Sequence, residues 1–292
     1  MDAIQEATGA GGGGEAPQPR ARSVAAQTLP VLAVFLAVVA MHMAAGVGVL
    51  AALGGLGGGP VILTTDLLVT LAAVTSTIFL VVGAAAGMVS RAGLGPGLRL
   101  VRGRLGFGMI LIAIFVFICL SQVADSALDL TGWSEGSILA DMSEALREAT
   151  GMTLVVAVLV IGVGGGLGEE VFFRGYMQTR LRSALGVWPA IFMTAAAFGL
   201  MHFDLVHTPV AFLFGILLGW LTEKAGSILP SIAAHVANNI MAVLGAALLP
   251  VSDTSTPHLA LTAFLLPAGA IGAALIARRA PGFAPPVGGK AA

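Results

Sequence analysis

Three short clusters of polar residues interrupt a chain that is otherwise strongly apolar. The clusters are Glu169-Glu170 with Arg174, then His202, then His235 with Asn239. An ionisable side chain at the centre of a membrane span costs about 2.5–3.5 kcal/mol to insert, so each is a functional candidate. A carboxylate base, two imidazoles and a carboxamide are the groups needed to activate water and to stabilise a tetrahedral oxyanion.

The two adjacent glutamates differ in the partners available to them. On a helix Glu170 and Arg174 are four residues apart and can form an ion pair. Glu169 points about 100° away from Glu170, and this direction leaves it free to accept a proton. A purely structural alternative is that both carboxylates pair with Arg174 for membrane insertion and packing.

The two histidine clusters also have structural alternatives when each is taken alone. His202 follows an apolar run, where a histidine often serves as a satisfied interfacial group. His235 and Asn239 share one helix face and can both donate hydrogen bonds, so they are candidates for interhelical contacts in a membrane. The combination of all three clusters favours chemistry.

Two other catalytic classes are not supported by the sequence. The Gly-x-Ser-x-Gly match at Gly132-Trp133-Ser134-Glu135-Gly136 follows an apolar span in the acidic segment 125–150 and not a strand, so it does not fit a nucleophile elbow. No His-Glu-x-x-His zinc motif occurs. The single cysteine, Cys119, lies in an apolar run and is typical of a small core residue. A net charge of −1 gives no electrostatic reason to expect a nucleic-acid partner.

The composition indicates an integral membrane protein. Hydrophobic residues make up 57% of the chain and charged residues only 10%, against roughly 25% charged in soluble domains. We therefore predict an all-α fold, a polytopic bundle of about eight transmembrane helices embedded in the lipid bilayer. The predicted spans are 29–53, 61–89, 106–124, 152–175, 187–202, 209–222, 227–249 and 259–277.

The spans define one membrane domain with polar ends. We expect a disordered cytoplasmic tail over 1–28, a bundle over 29–279 with its catalytic core at about 150–245, and a disordered tail over 280–292. The fifth and sixth spans are short for a full crossing, which predicts thinning, tilt or burial within the bundle.

The arrangement of charges predicts the orientation in the membrane. With eight spans, the cationic residues fall on one side, which should be the cytoplasm. These are Arg20, Arg22, Arg91, Arg99, Arg102, Arg104, Arg180, Arg182, Lys224, Arg278 and Arg279. The acidic segment 125–150, in which Arg147 is the single cation, falls on the opposite side. We predict a plasma-membrane protein with both termini in the cytoplasm.

The three clusters resemble the motifs of the CAAX-prenyl-protease and bacteriocin-processing family of intramembrane endopeptidases. That family carries Glu-Glu-x-x-x-Arg, then Phe-x-x-x-His, then His-x-x-x-Asn. The corresponding residues are Glu169-Glu170 with Arg174, Phe198 with His202, and His235 with Asn239. The motifs occur in the family's order, and the resemblance covers about residues 150–245.

The resemblance implies an intramembrane protease that cleaves a membrane-associated or C-terminal peptide. Glu169 would activate the attacking water, His202 would help to hold it, and His235 with Asn239 would form the oxyanion hole. Glu170 and Arg174 would brace the site.

Two questions stay open from the sequence. Glu169, His202 and His235 are also a candidate ligand set for zinc or another divalent metal, because two histidines and a glutamate can bind zinc and leave one position open. A metal-free mechanism uses the same residues. The substrate is a peptide or membrane protein, lipidated or not. A non-catalytic scaffold or immunity protein and an ion-coupled transporter are the alternative functions.

Overall fold

The computed structural model describes residues 23–52, 62–90, 92–249 and 255–285, which are helical and connected by short loops. The helices are α1 Val24–Ala52, α2 Thr65–Met88, α3 Leu94–Gly97, α4 Phe107–Thr131, α5 Ile138–Arg147, α6 Gly151–Leu185, α7 Val187–Leu200, α8 His207–Ala225, α9 Leu229–Leu248 and α10 Ser255–Arg279. No strand occurs in these ranges.

The predicted all-α polytopic bundle is confirmed. Eight helices lie at the predicted positions, and within the described residues six of them are long and apolar enough to cross a membrane: α1, α2, α4, α6, α9 and α10. The other two are the pair predicted to be short. Helix α7 has 14 residues, and α8 has 19 but carries Glu223 and Lys224 in its last turn.

Several helix ends differ from the prediction for local reasons. Helix α1 begins at Val24, inside the segment 1–28 that was expected to be disordered. Residues 1–22 lie outside the described part. Helix α4 continues to Thr131, where Gly132 adopts a left-handed conformation with φ of 68° and ends it. The acidic segment then forms α5, whose N-cap Ser137 accepts a hydrogen bond from a first-turn amide.

Helix α6 is longer than the predicted span 152–175. It runs for 35 residues to Leu185, so the two glutamates lie near its middle and not at its end. It contains two π-helical stretches, Val158–Gly165 and Val171–Gln178. The predicted span ended at 175, but Gln178 is fully buried against α8, and the helix continues.

Glycines allow α6 to approach its neighbours closely. A Cβ on Gly166 would lie 2.9 Å from the backbone nitrogen of Val236 in α9, and a Cβ on Gly168 would lie 2.7 Å from the carbonyl oxygen of Ser76 in α2. Gly166 and Gly168 therefore belong to a close-packing surface of α6. The same packing fixes the segment that carries the glutamates.

Gly168→Ala is expected to destabilise the protein and to slow any activity that depends on the adjacent Glu169. The new methyl group meets backbone at 2.7 Å, so helices must shift, at a free-energy cost of about 1–3 kcal/mol. Thermal unfolding in detergent measures the effect. Gly164→Ala is the matched control, because its Cβ would meet its nearest atom at 3.5 Å. Equal stability of both variants would contradict the packing described here.

The end of the bundle where α6 and α8 finish carries a cluster of charged residues. Arg99 Nη1 and Arg182 Nη1 lie 2.7 and 2.9 Å from the two carboxylate oxygens of Glu223. Arg104 donates a 2.8 Å hydrogen bond to the carbonyl of Lys224. We call the end defined by these five residues the basic end. Four cations from distant parts of the chain thus meet on one face, as the charge pattern predicted.

Part of the expected C-terminal tail is packed onto the basic end. Lys224 Nζ donates to the carbonyls of Ala280 and Pro281 at 2.8 and 3.0 Å. The segment 280–285 is thus held at the basic end through its backbone. The prediction of a disordered tail over 280–292 is therefore corrected for residues 280–285, because amino-acid composition does not reveal such backbone contacts. Residues 286–292 lie outside the described part.

Candidate active site

His235 lies between the two adjacent glutamates of α6. Its Nδ1 is 2.9 Å from Glu170 Oε1, and its Nε2 is 3.5 Å from Glu169 Oε2. The Glu170 side chain is fully buried, whereas that of Glu169 keeps 19% of its surface exposed. One imidazole therefore contacts both carboxylates, and of the two only Glu169 remains accessible.

The shape of the imidazole explains how one ring reaches two consecutive side chains. Adjacent residues on a helix point about 100° apart, and the two ring nitrogens lie on different edges of the ring. The glutamates stand on a one-turn α-helical segment, Gly166–Glu170, between the two π-helical stretches. Such π-helical turns are frequent at functional sites. The prediction that Glu169 lacks a partner is thereby refined, because it faces His235.

Arg174 also holds Glu170, at the same oxygen that His235 contacts. Its Nη1 donates to Glu170 Oε1 at 2.6 Å, and its Nη2 donates to the carbonyl of Gly215 in α8 at 3.3 Å. The guanidinium is fully buried and lies 4.5 Å from the centroid of the Phe198 ring. The predicted Glu170–Arg174 pair therefore exists, and Glu170 Oε1 accepts from both the arginine and the histidine.

His202 approaches this group through Phe198. Its Nδ1 donates a 3.0 Å hydrogen bond to the carbonyl of Phe198. The Phe198 ring lies 5.2 Å from the His202 ring and 5.8 Å from the His235 ring, centroid to centroid. In the described residues His202 contacts neither glutamate directly. Since Nδ1 is occupied as a donor, the Nε2 of a neutral His202 is an acceptor.

The loop after α7 is fixed by Asp204. Its Oδ1 accepts the backbone N–H groups of Val206 and His207 at 2.9 and 2.6 Å, and its Oδ2 accepts that of Ile138 at 3.3 Å. Burial opposes the charge of Asp204, but these three hydrogen bonds outweigh it and hold the pKa of the carboxyl below its usual value. The loop that carries His202 is thereby fastened to the start of α5.

Asn239 lies one turn beyond His235 on α9. Its carboxamide is partly buried, and its Nδ2 is 3.7 Å from the position of a Cβ on Gly165. Among the described residues, no hydrogen-bond partner of this carboxamide is found. The donors of Asn239 therefore remain available on the face of α9 that meets α6.

The predicted metal-ligand set does not come together. Across the described ranges, no three His, Cys, Asp or Glu side chains are grouped closely enough to hold a metal ion. Glu169 and His235 are neighbours, but His202 is separated from His235 by the Phe198 ring. This arrangement does not fit a metal held by Glu169, His202 and His235.

Further buried polar residues continue the site and were missed from the sequence. Gln178 Nε2 donates to the carbonyl of Gly219 at 3.0 Å and to Glu223 Oε1 at 2.9 Å. A signal for it existed, since Gln178 and Arg182 follow Arg174 at successive intervals of four residues on the same face of α6. Their partners on α8, Gly215, Gly219 and Glu223, recur at the same four-residue interval.

Comparison with known proteins identifies the segment that holds this site. The model of the family described as type II CAAX prenyl endopeptidase Rce1-like matches residues 151–241. Over that segment the chain is similar to the Rce1-like family. The recognition from three motifs is thus confirmed, together with the general assignment to CAAX-type intramembrane proteases.

The Rce1-like segment includes all the predicted site residues, from Glu169 to Asn239. It runs from the start of α6 into α9, so the helices that contribute His202, His235 and the glutamates lie within it. Searches of curated proteins and of solved structures gave no match to the chain.

Proposed function

We propose that this protein is a glutamate-dependent intramembrane endopeptidase with a His/Asn oxyanion hole. The observation that supports this most is the placement of His235 between an accessible Glu169 and a buried Glu170. A purely structural ion pair needs one carboxylate for Arg174, which Glu170 supplies. The second carboxylate stands beside an imidazole and keeps 19% of its side-chain surface exposed.

In the proposed reaction Glu169 removes a proton from a water molecule that His202 helps to hold. The water oxygen attacks the carbonyl carbon of the scissile peptide bond, and the carbonyl oxygen becomes an oxyanion. His235 Nε2–H and Asn239 Nδ2–H donate to this oxyanion. Glu169 then returns the proton to the leaving amine as the C–N bond breaks.

Glu170 and Arg174 position His235 for this role. Because Nδ1–H donates to Glu170, donation from Nε2 requires the imidazolium form of His235. Two carboxylates, one guanidinium and one imidazolium then sum to zero charge in a poorly hydrated site. Arg174 supplies the counter-charge of Glu170 and holds its side chain in place.

The proposed substrate is a membrane-associated or C-terminal peptide, and the proposed mechanism uses no metal. Purified protein in detergent is expected to cleave fluorogenic C-terminal peptides, tested in matched prenylated and unprenylated forms. Preincubation with EDTA or 1,10-phenanthroline should leave the rate unchanged. Loss of cleavage on chelation with recovery on added zinc would contradict the metal-free mechanism. Failure to cleave any peptide would favour a scaffold or transporter.

We also propose that the basic end faces the cytoplasm. Positions 102 and 135 are both exposed and lie on segments at opposite ends of the bundle. After Cys119→Ala removes the native thiol, a membrane-impermeant thiol reagent added to intact cells should label Glu135→Cys and leave Arg102→Cys unlabelled. The reverse pattern would refute the orientation, and membrane permeabilisation provides the control for reactivity at both positions.

A further inference from the structure

A file of buried polar side chains leads from the active site to the basic end. Glu170, Arg174, Gln178 and Arg182 follow one another at four-residue intervals on the face of α6 that meets α8. The first three are fully buried, and Arg182 is 9% exposed. The interior of an apolar bundle thus contains a continuous polar line.

Three side chains in this file each have one polar atom without a partner. They are Glu170 Oε2, Arg174 Nε and Gln178 Oε1, all inaccessible and without a hydrogen bond in the structure. Buried polar atoms are almost always hydrogen-bonded to protein or to ordered water. Along the file the free atoms alternate as acceptor, donor and acceptor.

Water can serve all three free atoms, because one water molecule both donates and accepts hydrogen bonds and can bridge neighbouring polar groups. At the outer end the missing side chain of Gly219 lets Gln178 Oε1 approach α8 closely, because a Cβ there would lie only 2.7 Å from that oxygen. We propose that Glu170, Arg174 and Gln178 bind a file of water molecules that supplies the hydrolytic water from the basic end.

Hydrolysis consumes one water molecule in each turnover, and the substrate itself obstructs the direct approach. A peptide bound against the accessible side of Glu169 shields the exposed surface of that carboxylate. The file approaches from behind, through Glu170, which contacts His235. This inference rests on the proposed peptidase function, because it assigns a supply route for that reaction's water.

Radiolytic hydroxyl-radical labelling tests the file without an activity assay, because it modifies side chains next to bound water. Phe198 is 3% exposed and stacks on Arg174, whereas Phe79 is 1% exposed and lies away from the file. In the full-length protein Phe198 should be labelled well above Phe79. In Gln178→Leu its labelling should fall to the level of Phe79. Equal labelling of the two rings in the unmodified protein would overturn the proposal.

Kinetics provide the second measurement. In Gln178→Leu and Gly219→Ala we expect kcat to fall about ten-fold with KM unchanged, the effect of roughly one lost buried hydrogen bond. Thr194→Val is the matched control, because it removes a buried hydroxyl that also lacks a partner but lies on α7 outside the file. If the two file variants cleave at the unmodified rate, the supply role is wrong while the peptidase stands. If the unmodified protein shows the labelling but no cleavage, the proposed function fails instead.

Discussion

Glu169→Gln is expected to reduce peptide cleavage by about 10²–10⁴-fold, the usual contribution of a general base. The amide retains the size and hydrogen-bonding capacity of the side chain but cannot accept the proton of the attacking water. The Glu169 side chain is partly exposed and shares no bond with Arg174, so the thermal unfolding of the variant should match the unmodified protein. Cleavage of a fluorogenic peptide by the purified variant measures the first effect.

Glu170→Gln provides the contrast that separates chemistry from structure. This buried carboxylate accepts from both Arg174 and His235, and its loss leaves a buried guanidinium without its counter-charge. Breaking such a pair costs about 3–5 kcal/mol, so the variant should unfold at a clearly lower temperature. Glu148→Gln, at the exposed position that directly follows α5, controls for general effects of carboxylate loss. Equal destabilisation by Glu169→Gln and Glu170→Gln would refute the division of roles.

Asn239→Ala is expected to lower kcat by about 10²–10³-fold, the effect of removing one oxyanion-hole donor. The residue lies on α9 one turn beyond His235, and its Nδ2 is directed towards α6 near Gly165. Because its carboxamide has no hydrogen-bond partner within the described residues, truncation breaks no hydrogen bond of the resting structure. Peptide binding and thermal unfolding should therefore stay close to those of the unmodified protein. His235→Ala should reduce kcat at least as much.

Asn238→Ala is the matched control for Asn239→Ala. The two carboxamides are adjacent on α9, similarly half-buried, and point about 100° apart. Only Asn239 shares the face of His235. If Asn238→Ala loses activity and Asn239→Ala does not, the oxyanion role belongs to Asn238. If Asn239→Ala simply unfolds, the carboxamide is an interhelical contact and has no part in catalysis.

The sequence determined those features that depend on residues within a turn or two of each other. The apolar runs specify the helices, because a helix satisfies its own backbone hydrogen bonds in lipid. The pairing of Glu170 with Arg174 follows from their four-residue spacing and appears in the structure at 2.6 Å. The order of three motifs was sufficient to recognise the Rce1-like segment at 151–241.

The tertiary structure alone decided which polar groups meet across the bundle. His235 and Glu170 are 65 residues apart in sequence, and Gln178 and Glu223 are 45 apart. Such contacts depend on how helices approach and rotate, which is set by packing at glycines such as Gly166 and not by local periodicity. The continuation of α6 to Leu185, beyond the predicted end at 175, has the same origin. Residues of α8 bury and bind the polar side chains of this last part of α6, and the sequence alone does not show that the two helices meet.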